Sequence, residues 1–233
     1  MRCASGIRFS GDCALMPASQ KIILVDEQPI ILEALTQAFQ QIPGFDVIAA
    51  FTHSDRAFFE IMNRRPDLVL MDLELPGRGA IELAEQIASR LPATRTVFFT
   101  NYNTDIFIDI GVRLKVGGYL LKTEAVSYVV DAVRQIAQGE TVFSEAIRER
   151  LHYDRESRQY VVKTQSFFSG LTLRQIQVLR HLARGESVKE VAKLMMLSER
   201  AIESHKYRIM QKMGIHDRVV LTRYAIREGL MPA

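Results

Sequence analysis

Leu68-Val69-Leu70-Met71-Asp72 is a short, unbroken apolar run that stops at a carboxylate. Four apolar residues without alternation read as a strand buried on both faces, the kind that parallel sheets use. The same design recurs three times. Ile22-Ile23-Leu24-Val25 ends in Asp26-Glu27, Val97-Phe98-Phe99 ends in Thr100, and Tyr119-Leu120-Leu121 ends in Lys122. Strands of an open parallel sheet point the same way, and ligands bind beyond their carboxyl ends. Neighbouring strands would therefore bring three carboxylates, a hydroxyl and an ammonium into one crevice. Such a set can bind a divalent cation, offer a carboxylate nucleophile and grip a phosphoryl group.

Helical patterns separate the runs. Ile30, Ile31, Ala34, Leu35, Ala38 and Phe39 recur at helical spacing before Pro43-Gly44. Asp46 to Phe51 reads as a further strand, and Ser54 as the N-cap of a helix through Met62. After Pro76-Gly77, Ile81, Leu83, Ala84, Ile87, Ala88 and Leu91 mark another helix, stopped by Pro92. Asp105 to Val116 is a weaker helix, and Glu124 to Gln138 a strong one closed by Gly139. Residues 21–139 thus read as a flavodoxin-like (βα)5 doubly wound α/β domain with strand order 2-1-3-4-5. Residues 140–170 read as a linker: Glu145 to Leu151 could form a short helix, but Asp154 to Arg158 are mostly charged and Ser166 to Gly170 are loop-like.

The bulk numbers suit two modest domains. The chain has 233 residues, 48% hydrophobic and 24% charged, an ordinary globular composition. No run reaches the ~18 consecutive apolar residues of a membrane span. Both cysteines, Cys3 and Cys13, lie near the N-terminus, so a disulfide framework is not expected and a reducing cytoplasm is. Residues 1–20 are read as a disordered extension without a signal peptide's apolar segment, or Met16 is the true start. The net charge of +3 hides an asymmetry: residues 1–165 carry 18 Lys/Arg against 21 Asp/Glu, residues 166–233 carry 12 against 6. A basic C-terminal part points to a polyanionic partner.

That part, residues 171–233, is punctuated like four short helices. Thr172-Leu173-Arg174-Gln175 and Ser187-Val188-Lys189-Glu190 match the capping box, which satisfies orphan amides at a helix start. Ser198 and Asp217 are further N-caps. Gly185, Gly214 and Gly229 stand where helices should stop.

The first domain resembles the receiver domain of bacterial two-component response regulators. The resemblance rests on Val25-Asp26-Glu27, Met71-Asp72-Leu73, Pro76-Gly77, Phe99-Thr100 and Gly118-Tyr119-Leu120-Leu121-Lys122. It implies that Asp72 accepts a phosphoryl group from a sensor histidine kinase. Mg²⁺, or Mn²⁺ in its place, would be held by Asp26, Glu27, Asp72 and the backbone carbonyl of Glu74, with Glu27 and Asp72 as direct ligands and Asp26 orienting a water. Lys122 and Thr100 would hold phosphoryl oxygens, and Tyr119 would move with Thr100 as the switch aromatic. Three residues depart from the family pattern: Glu27 replaces a common Asp, Asn101 a common Ala or Gly, and Thr123 a common Pro. Asn101 could crowd the phosphoryl pocket.

The second domain resembles the LuxR-type helix-turn-helix of NarL/FixJ response regulators. The matching residues include Leu171-Thr172-Leu173-Arg174-Gln175, Val178-Leu179, Lys189-Glu190-Val191-Ala192, Leu197-Ser198-Glu199, Ile202, His205, Ile209 and Lys212-Met213-Gly214. The recognition helix should run from Glu199 to Met213 and enter the major groove of double-stranded DNA. Ile202, Ile209 and Met213 share one stripe and are expected in the core. His205 shares it too, as a packed, hydrogen-bonded histidine. Glu203, Ser204 and Tyr207 lie opposite, where the family reads bases. Glu203 either accepts from a cytosine or pairs with a neighbouring cation. Arg200, Lys206, Arg208 and Lys212, with Ser187 and Lys189 on the preceding helix, are placed for phosphates. Val219, Val220 and Arg223 resemble the family's dimer face, implying a homodimer when active.

The expectation is a DNA-binding transcription factor controlled by phosphorylation, not an enzyme beyond slow autodephosphorylation. A second reading keeps DNA binding but substitutes a ligand or protein partner for the phosphoryl switch. A third, an aspartate-nucleophile phosphatase similar to haloacid-dehalogenase-type hydrolases, meets an obstacle. Those enzymes place their metal acids after the lysine, whereas Asp26-Glu27 come before it.

Overall fold

The computed structural model of the chain describes residues 19–164 and 166–231. The expectation for residues 1–18 lies outside them. The first domain runs β1 (Gln20–Val25), α1 (Pro29–Gln40), β2 (Phe45–Phe51), α2 (Ser54–Arg64), β3 (Leu68–Met71), α3 (Ala80–Arg90), β4 (Arg95–Thr100), α4 (Asp105–Arg113), β5 (Gly118–Leu121) and α5 (Val126–Ala137). A parallel sheet orders the strands β2-β1-β3-β4-β5 and adds a sixth, β6 (Val142–Phe143), beside β5. The doubly wound order is the expected one.

Register decides what meets at the rim. Val25 lies opposite Met71 and Thr100 opposite Leu121. Asp26, Asp72, Thr100 and Lys122 therefore leave their strands at one level. All four residues of β3 and of β5 are buried, because helices cover both sheet faces. Ile22, Leu24, Leu70 and Val97 pack toward α1 and α5, against Leu35, Phe39, Val129 and Val133. Ile23, Val69, Met71 and Phe98 pack the other way, toward α2, α3 and α4.

One local reading changes. The helix α2 is capped by His53, whose Nδ1 accepts from Asp55 N at 3.3 Å. The Ser54 hydroxyl instead donates to Pro76 O at 2.6 Å and accepts from Gly79 N at 3.2 Å, tying down the loop after Asp72. Gly77, at φ +90, completes that turn; a Cβ there would overlap His53, Asp55 and Ser54.

The stretch 140–170 carries more structure than a linker reading allows. After β6 comes a one-turn helix, α6 (Glu145–Arg148), then an antiparallel hairpin of β7 (Leu151–Asp154) and β8 (Gln159–Val162). Tyr160 stacks edge-on against Phe143 with ring centroids 5.0 Å apart and against Tyr153 at 5.3 Å. A two-stranded hairpin alone is marginal in water; this one leans on the sheet edge and on α4.

Among its described residues the C-terminal domain has four helices, α7 (Leu173–Ala183), α8 (Val188–Leu194), α9 (Glu199–Met213) and α10 (Arg218–Arg227). Both capping boxes form, Thr172 with Gln175 and Ser187 with Glu190. Ser198 and Asp217 cap α9 and α10. Its core, built on Ile176, Leu179, Val191, Ile202 and Ile209, is continuous with the first domain's cluster on α3 and α4. Polar contacts fix the two domains together: Arg174 to Glu82 at 2.9 Å, Gln177 to Glu85 at 2.9 Å and Arg113 to Leu171 O at 2.8 Å.

Candidate functional site

At the carboxyl rim of the sheet, Asp26 and Asp72 are 3% and 4% exposed, and Thr100 is fully buried. Lys122 Nζ stands 2.7 Å from Asp26 Oδ2 and 2.8 Å from Asp72 Oδ2, one ammonium serving two carboxylates. Each carboxylate also accepts a backbone bond, Asp26 from Gln28 N at 2.9 Å and Asp72 from Leu73 N at 2.7 Å. Burial pushes the Asp26 carboxyl above its ordinary value, the bonds from Lys122 and Gln28 pull it back, and the charge of Asp72 pushes it up again. Glu27 is exposed at the rim. Its carboxyl is also raised, by desolvation and then by the charges of Glu74, Asp72 and Asp26. Burial works to lower the Lys122 ammonium, but its bonds to Asp26 and Asp72 outweigh it and the pKa rises.

This is an acid cluster short of positive charge, with hard oxygen donors of the kind Mg²⁺ takes. The residues fit such a cation. Among the described residues, however, no group of three acid, His or Cys side chains is already gathered to hold a metal. Lys122 occupies the position between the two buried carboxylates.

A stability test follows from the raised Asp26. A carboxyl whose folded pKa lies above its unfolded one binds more protons when folded, so its contribution falls as pH rises through that window. Asp26→Asn removes that penalty. The variant should unfold a few degrees higher than wild type at pH 7, and the gap should shrink toward zero as the pH falls below the ordinary carboxyl pKa. Thermal melts across that range check it.

Thr100, Tyr102 and Tyr119 are linked by hydrogen bonds. Tyr119 is fully buried, ring edge-on to Phe98 at 5.9 Å, and its hydroxyl donates to Tyr102 O at 2.7 Å. Thr100 Oγ1 accepts from Tyr102 N at 3.4 Å. The Tyr102 hydroxyl donates to Glu74 Oε2 at 3.2 Å. Asn101 is exposed. Sequence reasoning did not single out Tyr102, nor Arg180 and Arg184 on the far side of Glu74. Arg184 Nη2 donates to Glu74 Oε1 at 3.1 Å, and Arg180 Nη1 to Leu73 O at 3.0 Å. A signal was present: Arg180 follows Ile176 by four residues, on the apolar face of α7, where a cation is out of place.

On the C-terminal domain, α9 exposes Arg200, Glu203, Ser204, Tyr207 and Arg208 while burying Ile202 and Ile209. Ser187 and Lys189 are exposed at the start of α8. Several of these side chains are engaged within the protein, Ser187 among them as the cap of α8. Lys206 Nζ pairs with Glu203 at 2.7 Å, the neighbouring-cation reading of that glutamate. Tyr207 Oη accepts from Gln211 Nε2 at 2.7 Å. Lys212 Nζ is spent on Gly170 O at 3.0 Å and Gln175 Oε1 at 3.2 Å, which turns it toward its own domain. The hydrogen bond expected for His205 is not found: its Nδ1 is buried with no partner among the described residues. Burial, then the charges of Arg174 and Arg208, lower its pKa and keep the ring neutral. On α10, Val219, Val220 and Arg223 are exposed.

Comparison with known proteins finds two family models along the chain. Residues 22–134 match the family model for the response regulator receiver domain. Residues 169–225 match that for bacterial regulatory proteins of the luxR family. An uncharacterized transcriptional regulatory protein, YxjL of Bacillus subtilis, is 28% identical over 221 residues, spanning 91% of this chain and 97% of that protein. Response regulator UvrY of Escherichia coli is 27% identical over 212 residues, spanning 91% and 96%. Among solved structures, RcsB from Salmonella enterica serovar Typhimurium, bound to promoter P1flhDC in the presence of phosphomimetic BeF3-, superposes with a TM-score of 0.67. It is 23% identical over 88% of this chain and 98% of that one, which speaks for the fold. The chain belongs to the response regulators that join a receiver domain to a LuxR-type DNA-binding domain. That family consists of transcriptional regulators rather than enzymes, which sets the phosphatase reading aside. No described helix is long and apolar enough to cross a membrane.

Proposed function

We propose that Asp72 is the phosphoacceptor of a sensor histidine kinase, and that its phosphorylation controls dimerisation and binding to double-stranded DNA. The single observation that carries this reading is Lys122 held within 2.8 Å of two buried carboxylates at the sheet rim. One carboxylate oxygen of Asp72 attacks phosphorus, the bond from phosphorus to the donor imidazole breaks, and the imidazole leaves with a proton. Lys122 then exchanges a carboxylate for a phosphoryl oxygen, and the Thr100 hydroxyl donates to another. Bound Mg²⁺ supplies positive charge that offsets the negative charge spreading over the transferred group. Asp26, Glu27, Asp72 and the Glu74 carbonyl are its proposed ligands. Any movement of Thr100 reaches Tyr102 through the 3.4 Å bond, and from there both Tyr119 and Glu74.

DNA is read by α9, with Glu203, Ser204 and Tyr207 toward base edges. Ser187, Lys189, Arg200, Lys206 and Arg208 contact phosphates, and Lys212 joins them only after leaving Gly170. The exposure of Glu203, Ser204, Tyr207, Ser187, Lys189, Arg200 and Arg208 supports the assignment, and Lys206 is half-buried beside Glu203. Val219, Val220 and Arg223 form the dimer face, and the cytoplasm is the proposed compartment. Arg208→Ala should weaken binding about equally on all sequences and flatten the dependence of log affinity on log salt by about one unit. Glu203→Ala should instead change preference at one base position. Titrations at several salt concentrations against a randomised site distinguish them. Equal loss of specificity in both variants would contradict the assignment.

A further inference from the structure

The loop that follows the proposed phosphoacceptor is held by the DNA-binding domain. Leu73 and Glu74 come directly after Asp72, and each is gripped from α7 or its C-cap. Arg180 Nη1 donates to the Leu73 carbonyl at 3.0 Å, and Arg184 pairs with the Glu74 carboxylate at 3.1 Å. These two cations share the acidic rim with Lys122. Lys122 belongs to the receiver; the arginines come from the other domain.

Arg180 is an expensive way to make that contact. The residue is 7% exposed, and its Nε and Nη2, one edge of the guanidinium, have no hydrogen-bond partner among the described residues. The group lies 5.2 Å from the centre of the Phe107 ring and 5.8 Å from that of Tyr102. No carboxylate lies within ion-pair distance of it among the described residues. Rings attract a guanidinium, but less than a buried charge loses on leaving water. The docked arrangement therefore contains a strained cation, and what favours that cation's position is the negative charge of the rim close by.

We infer that α7 and a divalent cation compete for this rim, so that docking of the DNA-binding domain and metal binding at the receiver oppose each other. Arg184 neutralises Glu74, and Arg180 draws on the Leu73 carbonyl one residue from the carbonyl proposed to face the metal. With both in place the cluster offers less negative charge and a more constrained loop. A bound metal in turn weakens the attraction that holds Arg180 in its costly position. Thermodynamic reciprocity makes the two effects equal in size. The exposed reading face of α9 is not covered in the docked form, so what docking restrains is the freedom of the domain rather than access to its recognition helix. This inference rests on the proposed metal site, not on phosphoryl transfer.

Calorimetric titration of the full chain with Mg²⁺, without phosphodonor, tests it. Arg184→Gln should bind Mg²⁺ about fivefold tighter than wild type or more, at the low end of usual coupling. Arg184→Lys, which keeps the charge, should return toward wild type, a rescue that a purely structural role would not give. Arg180→Met should also bind tighter, with circular dichroism confirming that it is folded. X-ray scattering should show wild type expanding at saturating Mg²⁺. Binding within twofold of wild type in Arg184→Gln, or an unchanged radius with metal, overturns the competition while leaving the metal site standing. Failure of every form to bind Mg²⁺ overturns the metal site as well.

Discussion

Asp72→Asn should abolish phosphodonor-driven activation of DNA binding while leaving the affinity of the unphosphorylated protein within about twofold of wild type, the size of an ordinary surface effect. The amide nitrogen and oxygen of asparagine cannot form the acyl phosphate, so the loss should be complete. The residues proposed to read DNA lie on α9, away from the rim, and the substitution is nearly isosteric. It does remove one of two partners of Lys122, but Asp26 remains at 2.7 Å. Gel-shift or anisotropy titrations with and without phosphodonor give both numbers. Full activation of the variant would support the second reading, in which a ligand or protein partner throws the switch.

Lys122→Met should be the most destabilising substitution at the site. It leaves Asp26 and Asp72 buried beside each other without their shared ammonium. Removing one partner of a buried ion pair costs about 3–5 kcal/mol. The ammonium's pKa is raised in the folded protein, so its contribution is fully present at neutral pH and fades only as the pH climbs through the folded value. Without it, the Asp26 carboxyl, already raised by burial, is driven further toward the protonated form, and the deficit should be largest at neutral pH and shrink in mild acid. Adding Asp26→Asn should restore part of the loss, since it removes one of the two stranded charges. Urea unfolding at two pH values, on the single and double variants, checks the magnitude and the sign. Wild-type stability in Lys122→Met would mean that the ammonium is not what reconciles the two acids.

The receiver could be read from the chain because its strands are short, apolar throughout and stopped by a polar residue. β3 and β5 each keep all four residues buried, and Asp72 and Lys122 are simply the next residues along. The C-terminal helices were legible for a local reason too, since Thr172-Gln175 and Ser187-Glu190 form their caps within one turn. What escaped depends on distant partners. β6 is two residues long, and its pairing with Gly118 and Tyr119 fixes it. The hairpin β7–β8 is charged at its tip and owes its place to Tyr160 against Phe143. Ser54 looks like a cap locally, yet Pro76, 22 residues on, claims its hydroxyl. Arg180 reaches Leu73 across 107 residues, and no local periodicity encodes such a contact.

The same distinction applies to DNA recognition. Spacing separates the buried stripe of α9 from its exposed one, and Ile202 and Ile209 are buried as expected. Spacing cannot tell that Lys212 is folded back on Gly170 and Gln175, because that depends on where the preceding loop runs.

Intact-mass measurement after incubation with Mg²⁺ and a small phosphodonor, followed by fragment mapping, tests the phosphoryl site most directly. One phosphoryl group per chain should appear, on the fragment containing Asp72, and it should be missing when Mg²⁺ is chelated. An unchanged mass, or a phosphoryl group on any other residue, would contradict the assignment.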